Sequence, residues 1–293
     1  GVGYWRSASL IKQITERSRT RRSYPGKLMG LAGYGNVKEK MLPHLRQFFI
    51  TRDGKIAEMI EGGNYYQGTG GENFAATIQK TLENILFKEL DKHNTKIPLV
   101  VTGGCALNVI INEKIKDRYK REVYVPPNPH DGGLSLGHMF CYQKPKERVN
   151  VTYNGLPLLD RDKLKDYNTK KVTKKDIARL LKDGKIIGLI YGDSEVGPRA
   201  LGNRSIVCDP SIPEMKDILN SKVKHRESYR PFAPFCKKED AHKYFESRDF
   251  ENMEYMSFAV KVKVDTLPSI THVDGTARLQ TVTEESHSHF YDL

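Results

Sequence analysis

Apolar residues recur at three- and four-residue spacing through Phe74, Ile78, Leu82, Ile85, Leu86 and Leu90, which predicts an amphipathic helix over 72–93. Further on, short apolar runs alternate with helical ones. Residues 98–102 predict a buried strand and 108–118 a helix. A second strand is expected at 122–125 and a second helix at 134–142. That strand–helix–strand–helix order is an α/β layout. Past residue 170 the pattern resumes with a helix at 173–183, a strand at 185–191, a helix at 215–222 and a strand at 256–264. Two stretches break the rhythm. Asp53-Gly54 between short apolar runs predicts a hairpin over 48–60. Gly26, Gly30, Gly33 and Gly35 predict tight turns and close backbone approach.

Residues 144–170 carry Pro145, Pro157 and many charges with little periodicity. An interdomain connection is expected there, which separates 1–150 from 171–293 with a linker at 151–170. A chain of 293 residues, 38% of them hydrophobic, has material for two cores. No run of about 18 apolar residues occurs, so no membrane span is expected. Residues 1–5 do not read as a signal peptide. The absence of a starting Met suggests a chain cut at this end. Cys105, Cys141, Cys208 and Cys236 are scattered without a CxxC pair. Reduced thiols in a cytoplasmic protein are the expectation.

The net charge of +12 admits nucleic acid, an anionic membrane surface or phosphorylated small molecules as partners. One basic run, Arg17, Arg19, Arg21 and Arg22, and another, Lys170, Lys171, Lys174 and Lys175, lack interleaved aromatics, so nucleic acid is not expected. Cations set among glycines, prolines and aromatics are more telling. Arg199, Arg204, Lys222, Lys224, Arg226 and Arg230 stand beside Gly197, Pro198, Gly202, Tyr229, Pro231 and Phe232. Fixed Arg forks and Lys point charges suit a phosphate, with Ser205 as a further donor. A solvated charged face is the plain alternative. Gly103-Gly104 after a strand, followed by Asn108, suits a nucleotide on backbone N–H groups, or else an ordinary strand–helix turn. Asp131, where a strand gives way to a helix, could ligate a divalent metal or cap the helix. Its neighbour His130 is a possible ligand but reads more plainly as a loop residue. His272, Asp274, Thr276, Arg278 and Gln280 alternate as one strand face would, lining either a pocket or solvent.

Several of these stretches resemble the NodU-type (nodulation and antibiotic-tailoring, NodU/CmcH) O-carbamoyltransferases. Residues 26–35, GKLMGLAGYG, look like that family's GKxMGLAxYG segment, 102–108 like its GGxALN turn, and 131–137 like its DxGxxxG segment. VGPRALGNRSI at 196–206, RESYRPFAP at 226–234 and VDGTARLQTV at 273–282 are near-verbatim. The resemblance implies part of an actin/sugar-kinase-like ATPase domain followed by an incomplete YrdC-like α/β domain. It implies carbamoyl-adenylate formation from carbamoyl phosphate and ATP in the second part. Transfer to a hydroxyl of a small molecule or sugar follows in the first, aided by a divalent metal (Fe or Mg). Arg199, Arg204, Arg226 and Arg230 would take phosphate charge, with Lys222 and Lys224 as alternatives. His272, Asp274, Thr276, Arg278 and Gln280 would line the adenylating pocket. Lys27, Gly30, Gly103, Gly104 and Asn108 would hold the adenylate, and Asp131 the metal.

The family's His-x-x-x-His metal pair and its last Asn/Thr/Ser-rich motif have no counterpart here. The chain therefore reads as an excerpt, inactive alone. A tRNA threonylcarbamoyl-transferase-like enzyme and a non-catalytic nucleotide-binding module remain the alternatives, and a homo-oligomer stays open.

Overall fold

The structure is a computed structural model that describes all residues except 17–19, 64, 94–95, 148 and 161. Arg17 and Arg19 of the first basic run therefore lie outside the described residues. The chain is mixed α/β. Helices α1 (Val2–Ala8), α2 (Lys12–Thr15), α3 (Tyr24–Ala32), α4 (Leu42–Thr51), α5 (Lys55–Glu61) and α6 (Gly68–Leu90) come first. Then follow β1 (Leu99–Val100), α7 (Val109–Tyr119), β2 (Val123–Tyr124) and α8 (Leu134–Gln143). The remainder holds α9 (Lys174–Lys182), β3 (Ile187–Ile190), β4 (Arg204–Val207), α10 (Met215–Ile218), β5 (Phe235–Lys237), α11 (Ala241–Tyr244), β6 (Phe245–Glu246), β7 (Phe258–Val262), β8 (Thr276–Val282) and α12 (Glu284–Tyr291).

Helix α6 forms as its spacing predicts, with Phe74, Ala75, Ile78 and Leu82 buried. Helix α9 begins at a capping box: the Asp176 amide donates to Thr173 Oγ1 and the Thr173 amide donates to Asp176 Oδ2. The expected hairpin at 48–60 is instead the helix pair α4–α5. Asp53-Gly54 does make a turn, with Arg52 at φ +69° and Gly54 at +81°. The buried flanking residues Leu45, Phe48 and Ile56 follow a helical period rather than alternation, and that decides the outcome. The glycines at 26–35 also depart from expectation. Gly26 and Gly30 lie inside α3, which starts with Pro25 in its first turn. Close approach does occur at Gly35, where an added Cβ would stand 2.1 Å from the Glu72 carbonyl oxygen of α6.

β1 and β2 pair in parallel, and β3 and β4 antiparallel. The largest sheet among the described residues has the order β5-β8-β7-β6, with β5 parallel to β8 and the other pairs antiparallel. The strand expected over 272–282 begins only at Thr276, because residues 272–275 form a turn with Gly275 at φ +77°. One hydrophobic core draws on both sides of 151–170: Leu28, Phe48, Ile78 and Ile111 from the first, Phe245, Phe258, Val260 and Leu279 from the second. Helix α7 lies against β7. Asn112 fastens that contact, its Nδ2 donating to the carbonyls of Ala106 and Ser257, both at 2.8 Å. Residues 152–158 run along the loop before β4: the Val196 amide donates to the Thr152 carbonyl (2.8 Å) and the Gly155 amide to the Ser194 carbonyl (2.9 Å). No helix among the described residues is long and apolar enough to cross a membrane.

Glu113 of α7 is buried where α7 meets residues 247–249, with Ser247 Oγ donating to its Oε1 at 2.7 Å. Lys116 and Asp249 stand beside it, and burial pushes its carboxyl up to about 7 from 4.5. The folded state therefore holds this proton more tightly than the unfolded chain. Its stabilising share is complete below about pH 4.5 and is lost as pH rises through about 7.

Three substitutions bear on stability. Gly35→Ala should lower it by at least about 1–3 kcal/mol in urea denaturation, because the Cβ meets backbone that cannot give way. Gly137→Ala, which meets nothing within 4 Å in α8, should be neutral or gain about 0.5–1 kcal/mol. Glu113→Gln should flatten the pH dependence of Tm between pH 4.5 and 7 and raise Tm relative to the parent above that window. A parallel pair of Tm-versus-pH curves would show that Glu113 is not the group being titrated.

Candidate functional site: a cleft lined by arginines

A cleft of about 140 Å³ opens where α3, the start of α7, the loop 226–232 and the β8 edge converge. Gly26, Met29 and Gly30 of α3 form one wall, with Val109 and Ile110 of α7 beside them. Arg226, Arg230, Pro231 and Phe232 form the opposite wall, and His272, Asp274, Thr276 and Arg278 close it. Three of the motifs read from the sequence thus meet at one place.

The loop is held by its own backbone. The helical turn Leu219–Lys224 ends at His225 with φ +47°, and the Arg226 amide then donates to the Asn220 carbonyl at 3.0 Å. Arg226 Nε donates to Asn220 Oδ1 at 2.7 Å, and its guanidinium lies 4.4 Å from the centre of the Phe232 ring. Those contacts fix where the charge points. Arg230 is half-buried, 3.8 Å from Glu227 Oε2. Arg278 is half-buried on β8, and its Nε has no hydrogen-bond partner.

These cations are crowded and short of counter-charge. Burial, then Arg230, pushes Arg278 down to about 10. Burial, then Arg230 and Arg278, does the same to Arg226. Arg199, buried behind them, is pushed down to about 9 by burial and by Arg278; its guanidinium donates to the carbonyls of Tyr255 (3.3 Å) and Leu107 (3.5 Å). Lys224 is lowered by partial burial and by Arg226 and Arg230. The first cause in each case is burial, which disfavours the charged form, and the neighbouring guanidiniums add to it. His272 is also lowered by burial, and its Nε2–H donates to the Gly30 carbonyl at 2.9 Å, tying the turn before β8 to α3. Asp274 Oδ1 accepts from the amide (3.0 Å) and hydroxyl (2.7 Å) of Thr276 and so shapes that turn.

The other expected site residues lie elsewhere. Arg204 is exposed on β4, and the Gly202 amide donates to Ser205 Oγ at 3.1 Å. Lys222 is exposed on the turn before the loop. Gln280 is buried and donates to the Leu201 carbonyl at 2.8 Å. Lys27 is buried, its ammonium paired with Glu227 and 3.5 Å from the Ile14 carbonyl. Gly103, at φ +83°, and Gly104 present open backbone: an added Cβ on either would meet nothing within 4 Å. Asn108 caps α7, accepting from the Ile111 amide at 3.1 Å, and pairs with Gln79 at 2.9 Å. The cap at 130–133 is His130, not Asp131: its Nδ1 accepts from the Gly132 amide at 3.0 Å, while Asp131 is exposed. Among the described residues no group of three His, Cys, Asp or Glu side chains is placed to hold a metal. Asp131 as it stands does not fit one.

Sequence reasoning missed Glu195. Its Oε1 accepts from the amides of Leu201 (2.8 Å), Asn203 (2.9 Å) and Arg204 (3.1 Å), organising the GPRALGNRS loop around one buried oxygen. It also missed His287, whose Nε2–H donates to Asn203 Oδ1 at 3.0 Å over Gly202, where a Cβ would come within 2.3 Å of that nitrogen. The available signal was a carboxylate just before a Gly/Pro-rich loop whose amides have no strand to bond.

Frame and cleft together define a mixed α/β protein with a half-buried cluster of arginines at the meeting of its motifs. Two family models match the chain: Carbamoyltransferase N-terminus over residues 52–139 and Carbamoyltransferase C-terminus over 178–293. Nodulation protein NolO of Bradyrhizobium diazoefficiens is 37% identical over 75% of this chain and 44% of its own length. Nodulation protein NolNO of Sinorhizobium fredii is 36% identical over 91% of this chain and 45% of its own. Nodulation protein U of Bradyrhizobium diazoefficiens is 31% identical over 89% and 52%. The chain belongs to the carbamoyltransferase family. It spans about half the length of these relatives.

Glu195→Ala should leave the three amides without an acceptor. Hydrogen exchange at Leu201, Asn203 and Arg204 should accelerate selectively, with a stability loss of at least about 1.5–3 kcal/mol. Unchanged protection at those amides would show that the loop does not depend on Glu195.

Proposed function

We propose that the arginine cleft binds the phosphate of carbamoyl phosphate, as the donor-activating part of an ATP-dependent O-carbamoyltransferase. The observation that carries the reading is the group of three guanidiniums, Arg226, Arg230 and Arg278, facing a cavity of about 140 Å³, with Arg278 Nε unpartnered. That volume is well below the roughly 300–1,000 Å³ of sites for drug-sized ligands, and it suits a small anion.

In this reading Arg226, Arg230 and Arg278 neutralise the phosphate, while Arg199 stands behind them and Lys224 at the rim. Met29, Val109, Ile110 and Phe232 exclude water from a mixed anhydride that would otherwise hydrolyse. One admitted water splits carbamoyl phosphate into carbamate and phosphate, and the carbamate oxygen then attacks the α-phosphorus of ATP, forming carbamoyl-adenylate with pyrophosphate as the leaving group. The carbamoyl group then passes to a hydroxyl of a small molecule or sugar. Residues 171–293 would be the YrdC-like part, joined through 151–170 to an actin/sugar-kinase-like part in 1–150. The open backbone at Gly103-Gly104 would serve the adenylate there. The family membership supports carbamoyl transfer as the chemistry, and the cation cluster supports phosphate as the group recognised.

Calorimetric titration with carbamoyl phosphate, phosphate and pyrophosphate tests this. Arg278→Ala should weaken the binding of each by about 1.5–3 kcal/mol, roughly one to two powers of ten, without lowering Tm. Equal affinity for parent and variant would overturn the assignment.

A further inference from the structure

Glu227 stands between Arg226 and Arg230 in the sequence of the cationic loop, where a carboxylate should oppose an anionic ligand. It is nonetheless buried, 6% exposed. Its Oε1 is ion-paired with Lys27 of α3, which is 3% exposed. Its Oε2 has no hydrogen-bond partner and lies 3.8 Å from Arg230 Nη1. The loop is seated closely on the same helix. A Cβ on Gly30 would stand 3.7 Å from Pro231 Cδ and 3.9 Å from the Tyr229 carbonyl oxygen. The Tyr229 hydroxyl donates to the Gln13 carbonyl at 3.4 Å. Gly26, Met29 and Gly30 of α3 face the cleft, while Lys27 is turned into the seam beneath the loop.

Glu227 therefore has two cations to choose between. It already lies within ion-pair distance of Arg230, at 3.8 Å; if it closed further, to hydrogen-bonding distance, it would tie up that guanidinium at the edge of the cleft. A ligand phosphate would then have to break that bridge before using the guanidinium, and its apparent affinity would fall with the fraction of molecules left open. A second ammonium on the far side of the carboxylate shifts the choice. We propose that Lys27 is a positioning residue of the anion cleft. By holding Glu227 it keeps that carboxylate off Arg230 and leaves the guanidinium for the donor's phosphate, although Lys27 itself touches no ligand. The inference rests on the reading of the cleft as a phosphate site, and it gives α3 a part in the affinity of a site whose cations all come from residues 226–278.

The probe is pyrophosphate, titrated calorimetrically into the parent, Lys27→Met, Glu227→Gln and the double variant, with a thermal melt for each. Lys27→Met should bind about tenfold more weakly, because the freed carboxylate turns to Arg230. Glu227→Gln should bind as tightly as the parent or up to about tenfold more tightly, because a negative charge has left the loop. The double variant should follow Glu227→Gln. A pair that merely braces the fold predicts the reverse for Glu227→Gln: weaker binding together with a lower Tm. That result, or an unchanged affinity in a folded Lys27→Met, overturns the proposal. Should Lys27→Met not fold, the Glu227→Gln comparison decides. Should neither single variant fold, the double variant decides, with binding at parental strength or better expected and loss of binding overturning the role. A parent that does not bind pyrophosphate, or binds it equally well with Arg278→Ala, overturns the phosphate reading itself rather than the role of Lys27.

Discussion

Three guanidinium groups share one small cleft with apolar side chains, and holding their charge away from water is the constraint around which the cleft is arranged. In open solvent the cost would be small, because water screens such charges and the side chains swing apart. Here at least one of them is held in place. Arg226 is fixed by Asn220 and by the Phe232 ring, and Arg278 is carried on a strand whose alternate residues Ala277 and Leu279 belong to the core. The stability of the surrounding fold therefore sustains an unfavourable local arrangement. Such stored cost at a cleft is characteristic of sites that bind charge.

The frame explains how that cost is sustained. The four-stranded sheet supplies β8, and β7 beside it is braced by α7 through the Asn112 bond to the Ser257 carbonyl. The buried Gln280, next but one to Arg278 on the same strand, is bonded to Leu201 in the GPRALGNRS loop. That loop is in turn gathered around Glu195 and pressed under His287. A motif that supplies no lining to the cleft is thus coupled to it through one strand. Its specific sequence is explained by backbone geometry: Gly197 at φ +143° and Gly202 at φ +128° adopt conformations that side chains disfavour, and neither has room for a Cβ.

Much of the architecture was legible in the sequence. The periodic helices α6, α7 and α9 and the strands β3 and β7 fall where their patterns put them. The hairpin was misread because Asp-Gly is a turn signal for any pair of elements. Only the period of Leu45, Phe48 and Ile56 tells strands from helices, and that window is short. The glycines of α3 read as turns because glycine disfavours helix. Of them only Gly30 meets a distant part of the chain, Pro231 and Tyr229 some two hundred residues away, and at an ordinary contact distance for an added Cβ. Of the candidate site, Arg226, Arg230, His272, Asp274, Thr276 and Arg278 do come together. Arg204, Ser205, Lys222 and Gln280 share their motifs but not the cleft, because neighbours in sequence on a strand or tight loop point to different places. Glu195 and His287 act on backbone and on other buried side chains. Neither role leaves a periodic trace.

The placement of the cleft has a mechanistic consequence. Its cations come from residues 226–278, while Gly26, Met29, Gly30, Val109 and Ile110 come from the part of the chain where the open backbone of Gly103-Gly104 also lies. His272 bonds to Gly30, and Glu227 pairs with Lys27, so the two walls are joined by a hydrogen bond and by a buried ion pair. A small anion seated between those walls touches both. Its negative charge would meet the guanidiniums of one wall, while the apolar residues of the other limit the water around it. If the anion is the carbamoyl donor proposed above, the electrophile would be shielded where its phosphate is neutralised.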